Sequence, residues 1–180
     1  MNILCSGNPN HTTVASAIQK RFPNADFASR STGYDLRFWD LGSETHFRNN
    51  IIRYNVFINS SFICGGGQLQ LLEATFEEWS DHQISGHIIN IGSTSELMGV
   101  DDPRVDVGVF GKYSIQKRAL KDRSLQLNNK NHIKTTHIIA GGLNDGKSGN
   151  ENGLDLRHVA DTIDWVLHHS CQIPLLQLQT

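Results

Sequence analysis

Tyr113 and Lys117 stand four residues apart in the run Tyr113-Ser114-Ile115-Gln116-Lys117. On a helix that spacing puts a phenol and an ammonium on one face, with their heads converging on one small volume. Taken alone, the pair reads more readily as a solvated helix face. Its meaning changes because the segment Ile88-Ile89-Asn90-Ile91-Gly92-Ser93 has the pattern of a buried strand that delivers the Ser93 hydroxyl to its carboxyl end. A phenol ordinarily titrates near ~10, a neighbouring cation brings it toward neutrality, and an alcohol can hold an oxygen on which negative charge develops. The three groups together suit proton transfer to or from a reacting oxygen. Without its two partners, Ser93 would read as a strand-end cap.

Such groups need a scaffold that gathers strand ends and helix starts. Short apolar runs recur at Ile3–Cys5, Phe27–Ala28, Val56–Ile58, His87–Ile91, Thr135–Ala140 and Leu175–Leu178, each bounded by Gly, Asn, Ser or Pro. Between them lie residues of helical period: Val14, Ala17, Ile18 and Arg21; Phe47 and Ile51; Leu69, Leu72, Phe76 and Trp79; Ile115, Leu120 and Leu127; Val159, Ile163, Val166 and Leu167. Strands of continuous hydrophobicity alternating with helices predict an α/β fold, a doubly wound parallel sheet of about seven strands with helices on both faces. A closed (β/α)₈ barrel typically needs ~250 residues, more than the 180 here. One domain over residues 1–180 is expected, with the Gly-rich stretch Asn144–Gly153 as a loop.

Composition bounds the partners. With 38% hydrophobic and 19% charged residues the chain is an ordinary globular one, and a net charge of -2 without Lys/Arg clusters argues against extended nucleic-acid binding. No apolar run reaches the ~20 residues a membrane span requires, and the first residues lead straight into a strand. The expectation is a cytoplasmic protein with reduced thiols at Cys5, Cys64 and Cys171. Nine histidines invite a metal, yet His168-His169 diverge on a helix and neither a His-x-x-x-His nor a Cys-x-x-Cys pair exists, so no metal site is expected.

In open α/β sheets ligands lie beyond the carboxyl ends of the strands. The residues there are polar: Ser6-Gly7-Asn8, Ser29-Arg30-Ser31, Asn59-Ser60-Ser61, Gly92-Ser93-Thr94-Ser95 and Gly141-Gly142-Leu143-Asn144. With Tyr113 and Lys117 in place, this order resembles the short-chain dehydrogenase/reductase family. That family combines a Rossmann sheet, a Tyr-x-x-x-Lys helix and a serine at the end of the fifth strand. The resemblance runs over nearly the whole chain: Ser6-Gly7 after the first strand, Asp40-Leu41 after the third, Asn59-Ser60 after the fourth, Ser93 after the fifth and Gly141-Gly142 after the sixth. It implies an oxidoreductase in which Tyr113 is the acid in reduction, Ser93 anchors the substrate carbonyl, and Lys117 supports the phenol and grips the nicotinamide ribose.

The resemblance also implies a nicotinamide cofactor held by Ser6, Gly7, Asn8, His11, Thr12, Thr13, Arg30, Ser31, Asp40, Asn59, Ser60, Ser61, Lys117, Gly141 and Gly142, with Asp40 at the adenine edge. The family's glycine-rich turn would carry glycines where this chain has His11 and Thr13, leaving Gly7. Thr12, Thr13 and the free N–H groups of the following helix can still receive phosphate, although an N-capped helix without a ligand accounts for the same residues. At the end of the second strand Arg30, between Ser29 and Ser31, suits a 2′-phosphate, which predicts a preference for NADP(H).

Other departures shape the expectation. The family's relay asparagine has no counterpart, an insertion containing Met98–Pro103 is expected to overhang the site, and Asn144–Gly153 is too short to build a helical lid. After Leu154 one helix and one strand are expected, in place of the carboxyl-terminal substrate domain of relatives that epimerise sugar nucleotides, so that activity is not expected. The substrate is expected to be a small carbonyl compound or alcohol. The stripe Leu69, Leu72, Phe76 and Trp79 is either core or, by resemblance, the interface of a homodimer or homotetramer. The alternative to an enzyme is a non-catalytic nucleotide-binding or scaffold protein of the same fold.

Overall fold

The computed structural model describes residues 1–34, 40–61, 67–98, 109–146 and 151–179, with side chains for all but 109 and 110. In chain order the elements are β1 (Ile3–Ser6), α1 (Val14–Arg21), β2 (Asp26–Ala28), α2 (Leu41–Ile51), β3 (Val56–Asn59), α3 (Gly67–Asp81) and β4 (His87–Ile91). They continue with α4 (Val109–Leu127), β5 (Lys134–Ala140), β6 (Leu143–Asn144), β7 (Leu154–Asp155), α5 (Leu156–His168) and β8 (Leu175–Leu178). Six strands form one parallel sheet in the order β2-β1-β3-β4-β5-β8. The expected strand count of about seven thus resolves into these six and a separate parallel pair, β6 with β7. The strand expected before Asp40 falls on residues 35–39, outside the described residues.

Alternate strand positions feed two apolar layers. Ile3, Cys5, Ile58, Ile89 and Ile138 face α1 and α5, where Ile18, Val159 and Ile163 meet them. Leu4, Phe57 and Ile88 face the other way, toward Phe47 and Ile51 of α2, Leu71, Leu72 and Trp79 of α3, and Leu120 and Leu127 of α4. Burial on both faces is why the strands carry continuous apolar runs. Leu72 and Trp79 of the α3 stripe are fully buried and Leu69 and Phe76 pack partly against them, so the stripe is mainly core. Ile115 corrects a sequence expectation. It is 62% exposed, because it lies about 200° around the helix from both Tyr113 and Lys117, and those two face the sheet.

The chain leaves β1 for β2 on one side and returns to β3 on the other, so the order reverses between β1 and β3 and opens a crevice at their carboxyl ends. Gly7 turns the chain there with φ +134°, and a Cβ on it would lie 2.9 Å from the Cβ of Ala15 in α1. Among the described residues no helix is long and apolar enough to cross a membrane.

Candidate active site

The C-terminal end of β4 and the second turn of α4 build the first cluster. Ser93 caps a 3₁₀ turn over Thr94–Leu97, and its hydroxyl accepts hydrogen bonds from the N–H and the hydroxyl of Ser95 at 3.3 and 3.1 Å. The phenol of Tyr113 hydrogen-bonds the same Ser93 side chain. One turn further along α4, the Lys117 ammonium lies 5.5 Å from the centroid of the Tyr113 ring. It donates to Oε1 of Gln68 at 2.6 Å and to the carbonyl of Ile91 at 2.8 Å. Tyr113, Lys117 and Ser93 are thus brought together from the two segments the sequence singled out.

Their surroundings set their proton affinities. Burial pushes the Tyr113 phenol above its ordinary 10.0, the Ser93 hydrogen bond works the other way, and the nearby Glu96 carboxylate adds to the rise. Lys117 is 4% exposed, and burial lowers its ammonium to about 8 while the Glu96 charge resists the fall. The ordinary logic of desolvation accounts for both directions, since each charged form loses water.

A second cluster lies in the crevice between β1 and β3, around a cavity of about 290 Å³. Gly7, Asn8, His11, Thr12, Thr13, Ser60 and Ser61 line it, as does Asp145 from the far side. The Thr13 N–H is taken by the Ser16 hydroxyl at 3.2 Å. Arg30 begins a 3₁₀ turn after β2 and is exposed; among the described residues its guanidinium makes no hydrogen bond or ion pair. The Ser31 hydroxyl is bonded to that of Ser29 at 2.8 Å.

Several expected binding residues have structural partners instead. The Ser6 side chain is fully buried and accepts from the N–H groups of Ser60 and Ser61 at 2.9 and 3.1 Å, bracing the end of β3. Asn59 is buried too, its amide donating to the Gln68 carbonyl at 2.8 Å and to Asn90 Oδ1 at 2.9 Å. Gly141 donates to the carbonyl of Leu178 in β8, and the Gly142 carbonyl accepts from Leu154 in β7, so both glycines are engaged in main-chain hydrogen bonds with other strands. Asp40 caps α2, its carboxylate accepting from Ser43 N–H at 2.8 Å.

Among the thiols, Cys5 is buried and pushed up to about 12 by desolvation, which removes it as a nucleophile. Cys64, residues 99–108 of the insertion expected to overhang the site, and residues 147–150 of the Gly-rich loop lie outside the described residues.

Three side chains of the site escaped the sequence reading. Gln68 is 5% exposed and also donates from Nε2 to the Asn59 carbonyl at 2.8 Å. Glu96 and His137 form a fully buried pair beside Ser93. A signal existed for Glu96, since Ser93-Thr94-Ser95-Glu96 has the capping-box pattern, and for His137, a histidine inside an apolar run. Nothing in the sequence marks Gln68.

No protein-family model and no curated protein matches the sequence. Solved structures match in fold. A 4-hydroxyisoleucine dehydrogenase complexed with NADH and succinate shares 16% sequence identity at a TM-score of 0.72, over 98% of this chain and 97% of its own. The 3-alpha-hydroxysteroid dehydrogenase from Pseudomonas sp. B-0831, complexed with NADH, gives a TM-score of 0.72 at 12% identity over 99% and 94%. A short-chain dehydrogenase from Sphingobium yanoikuyae in complex with NADPH gives 0.69 at 11% over 97% and 87%. At these identities the likeness is one of fold, and the chain has the Rossmann-like fold of these dehydrogenases.

Proposed function

We propose that this chain, folded as the short-chain dehydrogenases are, is an NADP(H)-dependent oxidoreductase that reduces a carbonyl, or oxidises an alcohol, of a small molecule. The observation that carries the reading is the meeting of Tyr113, Lys117 and Ser93 beside the crevice in which a dinucleotide would lie.

The residues present fit such a cofactor. Gly7 lets α1 approach the turn where a Cβ would crowd Ala15, the cavity lies beside it, and the Thr12 hydroxyl with the Val14 and Ala15 N–H groups of α1 offers donors to a phosphate. Arg30, without a partner among the described residues, supports a 2′-phosphate and hence NADP(H). Ser6 and Asn59 would act by bracing the strand ends beneath the cofactor, and Asp40 by fixing α2 near its adenine side.

Bound NADPH supplies the hydride that reaches the carbonyl carbon. Tyr113 gives its phenolic proton to the carbonyl oxygen, and Ser93 donates a hydrogen bond to that oxygen, which strengthens as charge gathers on it. The Lys117 ammonium stabilises the phenolate left behind. In alcohol oxidation the same phenolate takes the proton back.

Tyr113→Phe tests this. It should lower carbonyl reduction by about 10²–10⁴-fold, the usual worth of a positioned acid. NADPH should still raise the melting temperature of the variant, and by more than NADH does. Unchanged turnover in Tyr113→Phe would remove the mechanism. NADPH binding with no reduction across a broad aldehyde and ketone panel would favour a nucleotide-binding protein, the reading to which His11 and Thr13 in the turn lend support.

A further inference from the structure

Beside Ser93 lies a pair of ionisable side chains that the chemistry above does not use. Glu96 comes from the 3₁₀ turn after β4 and His137 from the middle of β5, and neither side chain is exposed. His137 Nε2 is 2.9 and 3.1 Å from the two carboxylate oxygens of Glu96. Oε2 also accepts from the Ser93 N–H at 3.1 Å. The pair closes over Gly92, where an added Cβ would stand 2.2 Å from His137 Nε2 and 2.5 Å from Glu96 Oε2.

The hydrogen bonds fix the charge of the pair. Oε2 accepts from the Ser93 N–H, and whether His137 Nε2 donates to the carboxylate follows from its tautomer. Among the described residues His137 Nδ1 is buried with no hydrogen-bond partner. A ring protonated on both nitrogens would bury an unpaired N–H there, whereas the Nε2–H tautomer leaves only a bare lone pair. The imidazole is therefore a neutral donor and the carboxylate keeps its negative charge.

Among the described residues, the ionisable groups around Tyr113 come from three elements. Lys117 of α4 is buried beside the phenol; Arg118, next on α4, donates from Nε to the main-chain carbonyl of Glu96 at 3.3 Å; Glu96 stands on the 3₁₀ turn and His137 on β5. α3 contributes the neutral Gln68. The phenol thus has a buried cation 5.5 Å from its ring centroid and bonds a serine whose own N–H is held by a buried carboxylate.

We propose that Glu96, locked by His137 over Gly92, is a positioning residue of the site: it holds the Ser93 peptide and, as the buried countercharge to Lys117, sets how readily Tyr113 gives up its proton. The carboxylate acts to raise the proton affinity of both Tyr113 and Lys117, in keeping with this geometry. The inference deepens the oxidoreductase reading and rests on Tyr113 being its acid. Its test is read without turnover.

Ultraviolet phenolate titration of the full chain, with the Tyr113→Phe protein as blank, isolates the Tyr113 transition. In Glu96→Gln its midpoint should move to lower pH, and Glu96→Asp, which keeps the charge, should restore it toward the unsubstituted value. A Glu96→Gln protein that melts cooperatively and titrates like the unsubstituted one overturns the proposal. Should Glu96→Gln fail to fold, ring-nitrogen magnetic resonance of the unsubstituted protein decides. His137 is expected in its neutral Nε2–H form, and a doubly protonated ring, which would cancel the carboxylate, overturns the assignment. Failure of the oxidoreductase reading shows separately, as absent NADPH binding alongside a Tyr113 midpoint that still moves with Glu96.

Discussion

Burial lowers the Lys117 ammonium from 10.5 to about 8, so the unfolded chain holds this proton more tightly than the folded one. Between those values the unfolded state binds more protons, and stability rises with pH; below about 8 the full penalty applies, about 3 kcal/mol. Lys117→Met removes that penalty but leaves Gln68 Oε1 without its donor, while the Ile91 carbonyl keeps the bond from Gln68 Nε2 at 3.3 Å; the loss is about 1–3 kcal/mol for a buried polar group. The two effects nearly offset at neutral pH. The difference in unfolding free energy between Lys117→Met and the unsubstituted protein should therefore change by about 3 kcal/mol from pH 8 to 10.5, in favour of the unsubstituted protein, in urea titrations. A pH-independent difference would mean that Lys117 is not desolvated as its surroundings require. Such a penalty is retained where a charge serves chemistry, and the variant should lose carbonyl reduction at every pH.

At the scale of elements, the β1-to-α1 turn depends on one residue. Gly7 has φ +134° and lies against Ala15, so Gly7→Ala combines a strained backbone with a contact of 2.9 Å. About 1–3 kcal/mol of stability should be lost, with weaker protection by NADPH in thermal melts; a variant as stable as the parent would show that the turn relaxes freely. The importance of Gly7 was legible in the sequence, as were the strands, whose apolar runs end within one residue of β1 to β5 and β8. Other features resist reading because tertiary context overrides pattern. Helix α4 turns Tyr113 and Lys117 inward and leaves Ile115 in solvent, against the usual sorting of apolar from polar. Ser6 and Asn59 end β1 and β3, where binding residues are sought, yet their side chains point into hydrogen bonds between strands. Gln68 follows three glycines and gains its role only when β3, β4 and α4 meet around it.

Over the whole molecule, the groups that limit the fold in acid are remote from those proposed to do chemistry. His87 opens β4 and Ser93 follows its last residues, so the two are about 20 Å apart along the strand direction. Burial, with Lys134 nearby, lowers the His87 imidazole from 6.5 to about 4. The folded ring stays neutral where the unfolded one takes a proton, so stability falls as pH drops from 6.5 toward 4, by about 3 kcal/mol in all. At the other end Cys5, raised from 9.0 to about 12, makes the unfolded thiol ionise first, and stability falls as pH rises above 9. His87→Gln keeps a partner for the Thr136 hydroxyl, which His87 Nε2 meets at 2.8 Å, and removes the titrating ring. Its melting temperature should change much less than the parent's between pH 6.5 and 4, while the pH profile of carbonyl reduction at higher pH stays where it was. Parallel melting curves for the two proteins would place the acid limb elsewhere. A shifted activity profile would show that the amino and carboxyl ends of β4 are coupled through the sheet.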